Sequence, residues 1–236
     1  MKRSEINRCI QDMLDFCGRL GFHLPPWATR VTKDWTAAGH EAQEVRANQL
    51  GWDVTDFGKG DFARLGLTLF TVRNGLPGQT GPMAKDYCEK VMLVREEQHT
   101  PYHFHFSKME DIINRGGGRL VIKLNNSTPD EALDTRGEVS VQVDGFTRIL
   151  PAGGELALNP GESVTLPPRL YHEFWGQHGA GWVLVGEVSR VNDDARDNRF
   201  LKKLPRFPSI EEDEPARFCL CNEYPGGAPA RTPQGR

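Results

Sequence analysis

The chain has 236 residues with 29 basic and 32 acidic side chains, and its formal net charge of −3 gives no basic field to attract a phosphate backbone. We therefore expect one domain with extensions, a small-molecule partner and no nucleic-acid partner. Five cysteines without metal or redox spacing, and the lack of an apolar signal core or membrane-length apolar stretch, predict a cytoplasmic protein with reduced thiols and no membrane partner.

Helices are predicted for the first part of the chain. Apolar residues recur at helical spacing after Ser4, a candidate N-cap, and the pattern stops at Gly21. A second helical stretch is predicted from about Trp35 to Ala47, where charged residues are scattered among small ones. We assign residues 1–60 to a helical extension that packs on the rest of the protein.

Short strand-like segments follow, separated by Gly and Pro turns. The predicted strands lie at 67–72, 90–94, 103–106, 120–124, 139–143, 146–150, 155–158, 163–166 and 181–188. Asp144 and Gly145 predict a hairpin with a primed turn between two of them. The fold class is therefore all-β, a barrel or sandwich over residues 61–224 with helical decoration. Residues 225–236 are rich in Gly, Pro and Ala and predict a flexible tail.

A possible metal site is the most informative pattern in the chain. His103 and His105 alternate on one strand and therefore face the same side, while Glu110 and the distant His172 can approach the same point. Imidazole nitrogen and carboxylate oxygen suit Mn²⁺, Fe²⁺, Co²⁺, Ni²⁺ or Zn²⁺, and the lack of a thiolate argues against a closed structural zinc site. The alternative is a hydrogen-bonded cluster of core histidines.

Other ionisable residues allow two readings each. Glu187 ends a strand whose other inward residues are valines, so it either serves the site or reaches water. Lys90 and Lys108 stand beside apolar residues and could donate to a substrate hydroxyl, although a surface lysine is the default. The polar run at 192–199 is either a solvated loop or part of the site, and the acidic run at 211–214 is interpreted as a solvated loop.

These residues resemble the two sequence motifs of the cupin superfamily. The matching positions are His103, His105, Glu110, Gly117, Gly161, Pro167 and His172. Glu97 and Arg169 stand where the motifs have glycine, and Gly176 stands where asparagine is common. The departures concern turns and leave the ligands intact.

Longer segments resemble the bacterial D-lyxose isomerases. They are MKRSEIN at 1–7, LGWDVTDFG at 50–58, MEDIINRGGG at 109–118, GEVS at 186–189, NDD at 192–194, DNRF at 197–200 and CNEY at 221–224. The resemblance covers nearly the whole chain, to about Tyr224. It implies a cupin jelly-roll β-barrel with an N-terminal helical extension, and a manganese-dependent enzyme that interconverts D-lyxose with D-xylulose and often D-mannose with D-fructose.

Such an enzyme moves a proton between two sugar carbons. We predict a cis-enediol route in which Glu187 is the base and Asp193 and Lys108 shuttle the hydroxyl proton or orient the sugar. Lys90 and Arg115 are predicted to bind substrate, and a homodimer is expected. A hydride shift stays open as another mechanism. The alternative functions are an iron-dependent cupin dioxygenase and a non-catalytic sugar-binding cupin, and the set of ionisable residues favours the isomerase.

Overall fold

The structure of the chain is a computed structural model that describes residues 1–193, 196–205 and 207–226. Two antiparallel β-sheets and a few helices make up these residues, which confirms the all-β prediction. Of the predicted tail at 225–236, only Pro225 and Gly226 are among the described residues. None of the described helices is long and apolar enough to cross a bilayer.

The N-terminal helices differ in detail from the prediction. Helix α1 spans Arg3–Arg19, so Ser4 lies inside it and not at its N-cap. The predicted second helix is broken, because Ala38 has extended backbone angles (φ −70°, ψ 129°) that end a helix there. This part of the chain instead forms two short helices, α2 at Thr32–Ala37 and α3 at Gln43–Ala47. Two 3₁₀ turns lie nearby, at Pro26–Thr29 and His40–Ala42.

The larger sheet has eight strands in the order β1-β2-β3-β12-β5-β10-β7-β8. Their bounds are β1 Gly51–Thr55, β2 Leu67–Asn74, β3 Tyr87–Val94, β5 Glu110–Gly117, β7 Val139–Val143, β8 Phe146–Leu150, β10 Ser163–Leu166 and β12 Val183–Arg190. Strand β1 lies within the range 1–60, so that range holds an edge strand of the sheet as well as the predicted helices. The predicted hairpin is confirmed, with positive φ at both Asp144 (51°) and Gly145 (82°).

The smaller sheet has five strands in the order β13-β4-β11-β6-β9. Their bounds are β4 His103–His105, β6 Leu120–Asn126, β9 Gly154–Leu158, β11 Leu170–Gly176 and β13 Asn198–Phe200. The buried faces of the two sheets meet in one apolar core, as the predicted jelly-roll barrel requires: Met92 and Ile112 come from the larger sheet, and Leu124 and Phe174 from the smaller. Helix α1 covers the outside of the larger sheet in a second apolar cluster.

The acidic run at 211–214 is an exposed loop, as its composition predicts, and it also contacts the start of α1. Asp213 accepts hydrogen bonds from the backbone N–H of Ser4 (2.9 Å) and from its hydroxyl (2.6 Å), which satisfies groups at the start of α1. Glu212 pairs with the buried guanidinium of Arg3 at 2.6 Å. The segment therefore docks on the helix and contributes the capping group that Ser4 was predicted to supply.

Candidate active site

Three histidines converge at one end of the core between the two sheets. His103 and His105 lie on β4, whose neighbour β11 places His172 directly across from His103. Their ligand nitrogens all lie within 4.8 Å of one another. The alternation of the short strand β4 puts both of its imidazoles on the inner side, as the sequence predicts. Glu110, the first residue of β5, reaches the cluster from the larger sheet.

Backbone carbonyls determine which nitrogen of two of these rings is protonated. His103 Nδ1 lies 2.7 Å from the Pro101 carbonyl oxygen, and His172 Nδ1 lies 3.0 Å from the Leu170 carbonyl oxygen. Because a carbonyl only accepts, each Nδ1 carries the hydrogen, and a neutral ring then presents a lone pair from Nε2. Burial, with the neighbouring histidines, holds the pKa of His103 well below its usual value, so this ring is neutral.

Glu110 directs one oxygen at the imidazoles. Its Oε1 lies 3.2 Å from His105 Nε2 and 3.1 Å from His172 Nε2. Among the described residues this buried oxygen has no hydrogen-bond donor. An anionic oxygen that faces the lone pair of His172 Nε2 repels it unless a cation lies between, so these atoms fit a metal ion better than a hydrogen-bonded core cluster.

The Lys108 ammonium group joins Glu110 to a second buried carboxylate. Lys108 Nζ lies 2.7 Å from Glu110 Oε2 and 2.8 Å from Glu187 Oε1, with Asn192 Oδ1 at 3.4 Å. Burial alone would lower the pKa of Lys108, but the charges of the two glutamates outweigh it and raise that pKa above its usual value. Three acceptors thus match the three donors of a charged lysine.

Glu187 faces inward from β12, where β3 places Lys90 directly across from it. Lys90 Nζ lies 3.4 Å from Glu187 Oε1, and the Ser189 hydroxyl lies 3.1 Å from the same oxygen. Burial would raise the pKa of Glu187, but the charges of Lys108 and Lys90 outweigh it and lower that pKa. The glutamate is therefore ionised at neutral pH. Its burial contradicts the alternative that it reaches water.

The formal charges of the two lysines and two glutamates in the site cancel before any ion is added. Lys90 and Lys108 carry two positive charges, and Glu110 and Glu187 carry two negative ones. The pKa of Lys108 is raised and the pKa values of both glutamates are lowered, so these three groups are charged at neutral pH. A divalent cation on these ligands would give the site an excess of about two positive charges, counting the imidazoles as neutral. Such an excess favours a substrate on which negative charge develops.

One cavity contains all of these groups. Its lining includes the three histidines, the two glutamates and both lysines. Thr55, Phe57 and Phe200 add a wall on which the two phenyl rings meet edge to face at 6.1 Å. The remaining lining is mainly apolar and comes from both sheets, for example Met92 and Phe174. The cavity is thus a concave site in which a few ionisable groups face a mainly apolar lining.

Two predicted site residues are not brought to this cavity. Asp193 lines a neighbouring cavity, which shares Lys108 with the first. Arg115 is exposed on the outer face of β5, where its side chain lies over Gly186. Since Gly186 and Glu187 are consecutive strand residues, their side-chain positions face opposite sides of the sheet. Asp194, in the same polar run as Asp193, lies outside the described residues.

Asn192 and Asp197 contact the site, although the sequence did not single them out within the polar run. The buried Asp197 carboxylate accepts the backbone N–H groups of Ser107 (2.8 Å) and Lys108 (3.0 Å), which holds the turn between β4 and β5. Asn192 Oδ1 lies 2.9 Å from Lys90 Nζ. The sequence signals for these contacts were the position of the run directly after the Glu187 strand and the resemblance of segments 192–194 and 197–200 to the D-lyxose isomerases.

The chain was compared with known protein families. The family model for D-lyxose isomerase matches residues 1–224, all of the strands included. This chain belongs to the D-lyxose isomerase family. Membership confirms the resemblance seen in the sequence and the prediction of a sugar isomerase, an intramolecular oxidoreductase.

Individual relatives agree with this assignment. A D-lyxose/D-mannose isomerase of Serratia proteamaculans is 52% identical over 95% of this chain and 98% of its own length. A D-lyxose/D-mannose isomerase of Escherichia coli O157:H7 is 50% identical over 95% of this chain and 98% of its own. The L-ribose isomerase of Cellulomonas parahominis, solved with L-ribose, has the same fold with a TM-score of 0.60 at 16% identity, over 89% of this chain and 98% of the other.

Proposed function

We propose that this chain is a metal-dependent aldose–ketose isomerase that interconverts D-lyxose with D-xylulose and D-mannose with D-fructose. The observation that carries the proposal is an ionised carboxylate, Glu187, that lines the same cavity as the three clustered histidines and Glu110. The relatives named D-lyxose/D-mannose isomerase support the choice of the two aldoses.

The proposed ligands of the metal are His103, His105, Glu110 and His172. Three imidazole nitrogens and one carboxylate oxygen suit Mn²⁺, which we expect, and also Co²⁺, Fe²⁺, Ni²⁺ or Zn²⁺. When bound, a divalent cation would polarise the sugar carbonyl and so acidify the adjacent C–H bond. The hydrogen bonds from His103 and His172 to backbone carbonyls would hold both rings in the ligating orientation.

Glu187 is the proposed base of the reaction. It takes the proton from C2 of the aldose and returns it to C1 through a cis-enediol, while a second proton passes between the two oxygens. Lys108 orients the Glu187 carboxylate at 2.8 Å and is a candidate for the hydroxyl proton. Asp193, the other predicted candidate, lines the neighbouring cavity and would have to act through Lys108, which both cavities share. Lys90 is proposed to bind the sugar. The apolar remainder of the cavity limits exchange of the transferred proton with water.

The buried acid–base groups favour this reaction over the two alternatives. An iron-dependent dioxygenase would use the same ligands but needs little proton transfer, and a sugar-binding cupin needs no base. Burying Lys90, Lys108 and Glu187 together lowers the stability of the fold, because charged groups lose their hydration. Such buried ionisable groups are typical of sites that transfer protons.

An anaerobic assay tests the proposal. The purified protein is loaded with Mn²⁺ and incubated without O₂ with D-lyxose, D-mannose, D-xylose and D-glucose, and ketose is measured. We expect D-xylulose from D-lyxose and D-fructose from D-mannose. Lack of ketose from every aldose, in protein that contains stoichiometric metal, would overturn the proposal, and activity that requires O₂ would indicate the dioxygenase.

The cellular setting belongs to the proposal as well. The five cysteines are all buried and lack the spacing of a redox or zinc motif, which is consistent with a reducing compartment and with a cytoplasmic location. The homodimer stays a prediction, and sedimentation of the purified chain would measure it.

A further inference from the structure

The two oxygens of the Glu187 carboxylate have different surroundings. Oε1 accepts hydrogen bonds from the Lys108 ammonium at 2.8 Å and the Ser189 hydroxyl at 3.1 Å, and Lys90 Nζ lies 3.4 Å away in an ion pair. Oε2 accepts a long hydrogen bond from Lys90 Nζ, at 3.5 Å. Among the described contacts Oε1 thus has two short donors, and Oε2, whose donor lies at the limit of a hydrogen bond, is the oxygen better placed to accept a substrate proton.

The Lys90 ammonium group would be expected to pair more closely with Glu187. It stands directly across from that residue on the neighbouring strand, and both side chains are buried in the same cavity. Instead, Lys90 Nζ lies 2.9 Å from Asn192 Oδ1, nearer than to either Glu187 oxygen. The amide oxygen has two lone pairs and also lies 3.4 Å from Lys108 Nζ. Asn192 therefore competes with Glu187 for the ammonium group.

Asn192 is itself fixed by a buried residue that is 118 positions away in sequence. Asn74 Oδ1 accepts the backbone N–H of Asn192 at 3.0 Å, and Asn74 Nδ2 donates to the Asn192 carbonyl at 3.1 Å. The Asn74 carbonyl in turn accepts from Asn48 Nδ2 at 2.7 Å. Asn74 ends β2, which pairs with the strand of Lys90, so the amide and the lysine are placed by the same sheet.

We infer that Asn192 is a positioning residue that draws the Lys90 ammonium group away from Glu187 and so keeps Oε2 of that carboxylate open to the substrate proton. The inference rests on the proposed role of Glu187 as the base. Without the amide oxygen, the donors of Lys90 turn to the nearest buried anion, because an unmet ammonium donor is costly in this cavity. Oε2 then holds an ammonium hydrogen and accepts a carbon-bound proton more slowly.

Two variants of Asn192 separate the acceptor from the shape of the side chain. N192L keeps the same number and branching of heavy atoms and has no acceptor, whereas N192D keeps an oxygen within reach of both lysines. For the Mn²⁺-loaded enzyme with D-lyxose, we expect N192L to lower kcat by about ten- to hundredfold, the usual loss when an outer hydrogen-bond partner is removed, with KM and metal content nearly unchanged. Because N192D keeps an acceptor for the lysines, its kcat should stay within about fivefold of that of the original enzyme.

A double-mutant cycle tests whether the effect passes through Lys90. In a K90M background the competing ammonium group is absent, so adding N192L should change kcat by less than about threefold, a non-additive result. Equal losses in both backgrounds would overturn the inference. So would an unchanged kcat in N192L, or a loss in N192D as large as in N192L with metal content and thermal stability lowered in both, which would indicate a structural role.

The E187Q variant distinguishes failure of the inference from failure of the proposed function. If E187Q has unaltered turnover, the base is elsewhere and the proposed mechanism fails, whatever Asn192 does. If E187Q is impaired and N192L is not, only the role of Asn192 is wrong.

Discussion

Lys108 Nζ lies 2.7 Å from Oε2 of Glu110, the carboxylate whose other oxygen faces the imidazoles. The same ammonium group contacts the proposed base, so one cation joins the metal-ligating half of the cavity to the proton-transfer half. Both contacts are buried, and neither partner can recover hydration if the lysine is removed.

Replacing Lys108 by methionine should therefore impair stability and activity together. Breaking one side of a buried ion pair costs about 3–5 kcal/mol, and here two carboxylates lose their shared partner. We expect the loss in free energy of unfolding to be larger in metal-free protein than in Mn²⁺-loaded protein, because a bound cation would neutralise Glu110. Chemical denaturation with and without metal measures this difference. Equal losses in the two forms would contradict the shared role of the lysine.

The ligand assignment predicts a common result for three alanine variants, H103A, H105A and H172A. Each removes one imidazole, and the remaining three ligands should not retain the ion through gel filtration. Metal content by elemental analysis and turnover should fall together. H178A, at an exposed histidine outside the cavity, is the matched control and should keep both. Full metal occupancy in all three variants would disprove the assignment.

Glu187 should be essential for turnover and dispensable for metal binding. The change to glutamine keeps the shape and removes the proton acceptor, so turnover of D-lyxose should fall by about two to four orders of magnitude, the usual contribution of a positioned base. Metal content should stay at the original level. E155Q, an exposed glutamate on β9, should show neither effect. Unchanged turnover in E187Q would show that Glu187 is not the base, and Asp193 would be the next residue to test.

Isotope exchange distinguishes the enediol route from a hydride shift. If Glu187 carries the proton and exchanges with solvent before returning it, sugar recovered from D₂O under anaerobic conditions should contain deuterium at C1 or C2. Mass spectrometry and NMR of recovered ketose and aldose measure the label. Ketose without any deuterium would point to a hydride shift or to a base fully shielded from water.

The parts of the fold that were predicted are those with a local signal. The hairpin around Asp144 and Gly145 combines alternation with a turn that needs positive φ, and both signals lie within a dozen residues. Strand β1 was missed although Trp52 and Val54 alternate with Asp53 and Thr55, because the pattern covers only five residues, and the burial of its polar residues as well could not be read from it. Its outer face packs against α1, and a contact between two separate elements cannot be predicted from a local sequence pattern.

The same distinction holds for the site. The histidines of β4 were predictable because a spacing of two on a strand determines that both face one side. The pairing of Asn74 with Asn192 depends on the order β2-β3-β12 in the sheet, which brings residues 118 positions apart into contact. Arg115 was predicted from its place in a conspicuous segment, whereas its side of β5 depends on the register with β12.

The docking of the acidic run on α1 predicts a pH-dependent stability. Hydrogen bonds from the hydroxyl and backbone N–H of Ser4 lower the pKa of Asp213 in the folded protein. A carboxyl whose folded pKa is lowered stabilises the fold at pH values above its unfolded pKa, about 3.9, and loses that contribution as the pH falls through the folded value. D213A should therefore lower Tm by a few degrees at pH 7, and its difference from the original protein should shrink in acid.

Scanning calorimetry of metal-free D213A and the original protein from pH 7 to pH 3 measures this difference. D86A, at an exposed aspartate on the connection before β3, is the matched control and should leave Tm unchanged at every pH. D213N keeps the shape and an acceptor oxygen but loses the charge, so it should fall between the two, because the start of a helix favours a negative group. A D213A difference that persists undiminished in acid would mean that Asp213 acts through packing and not through its charge.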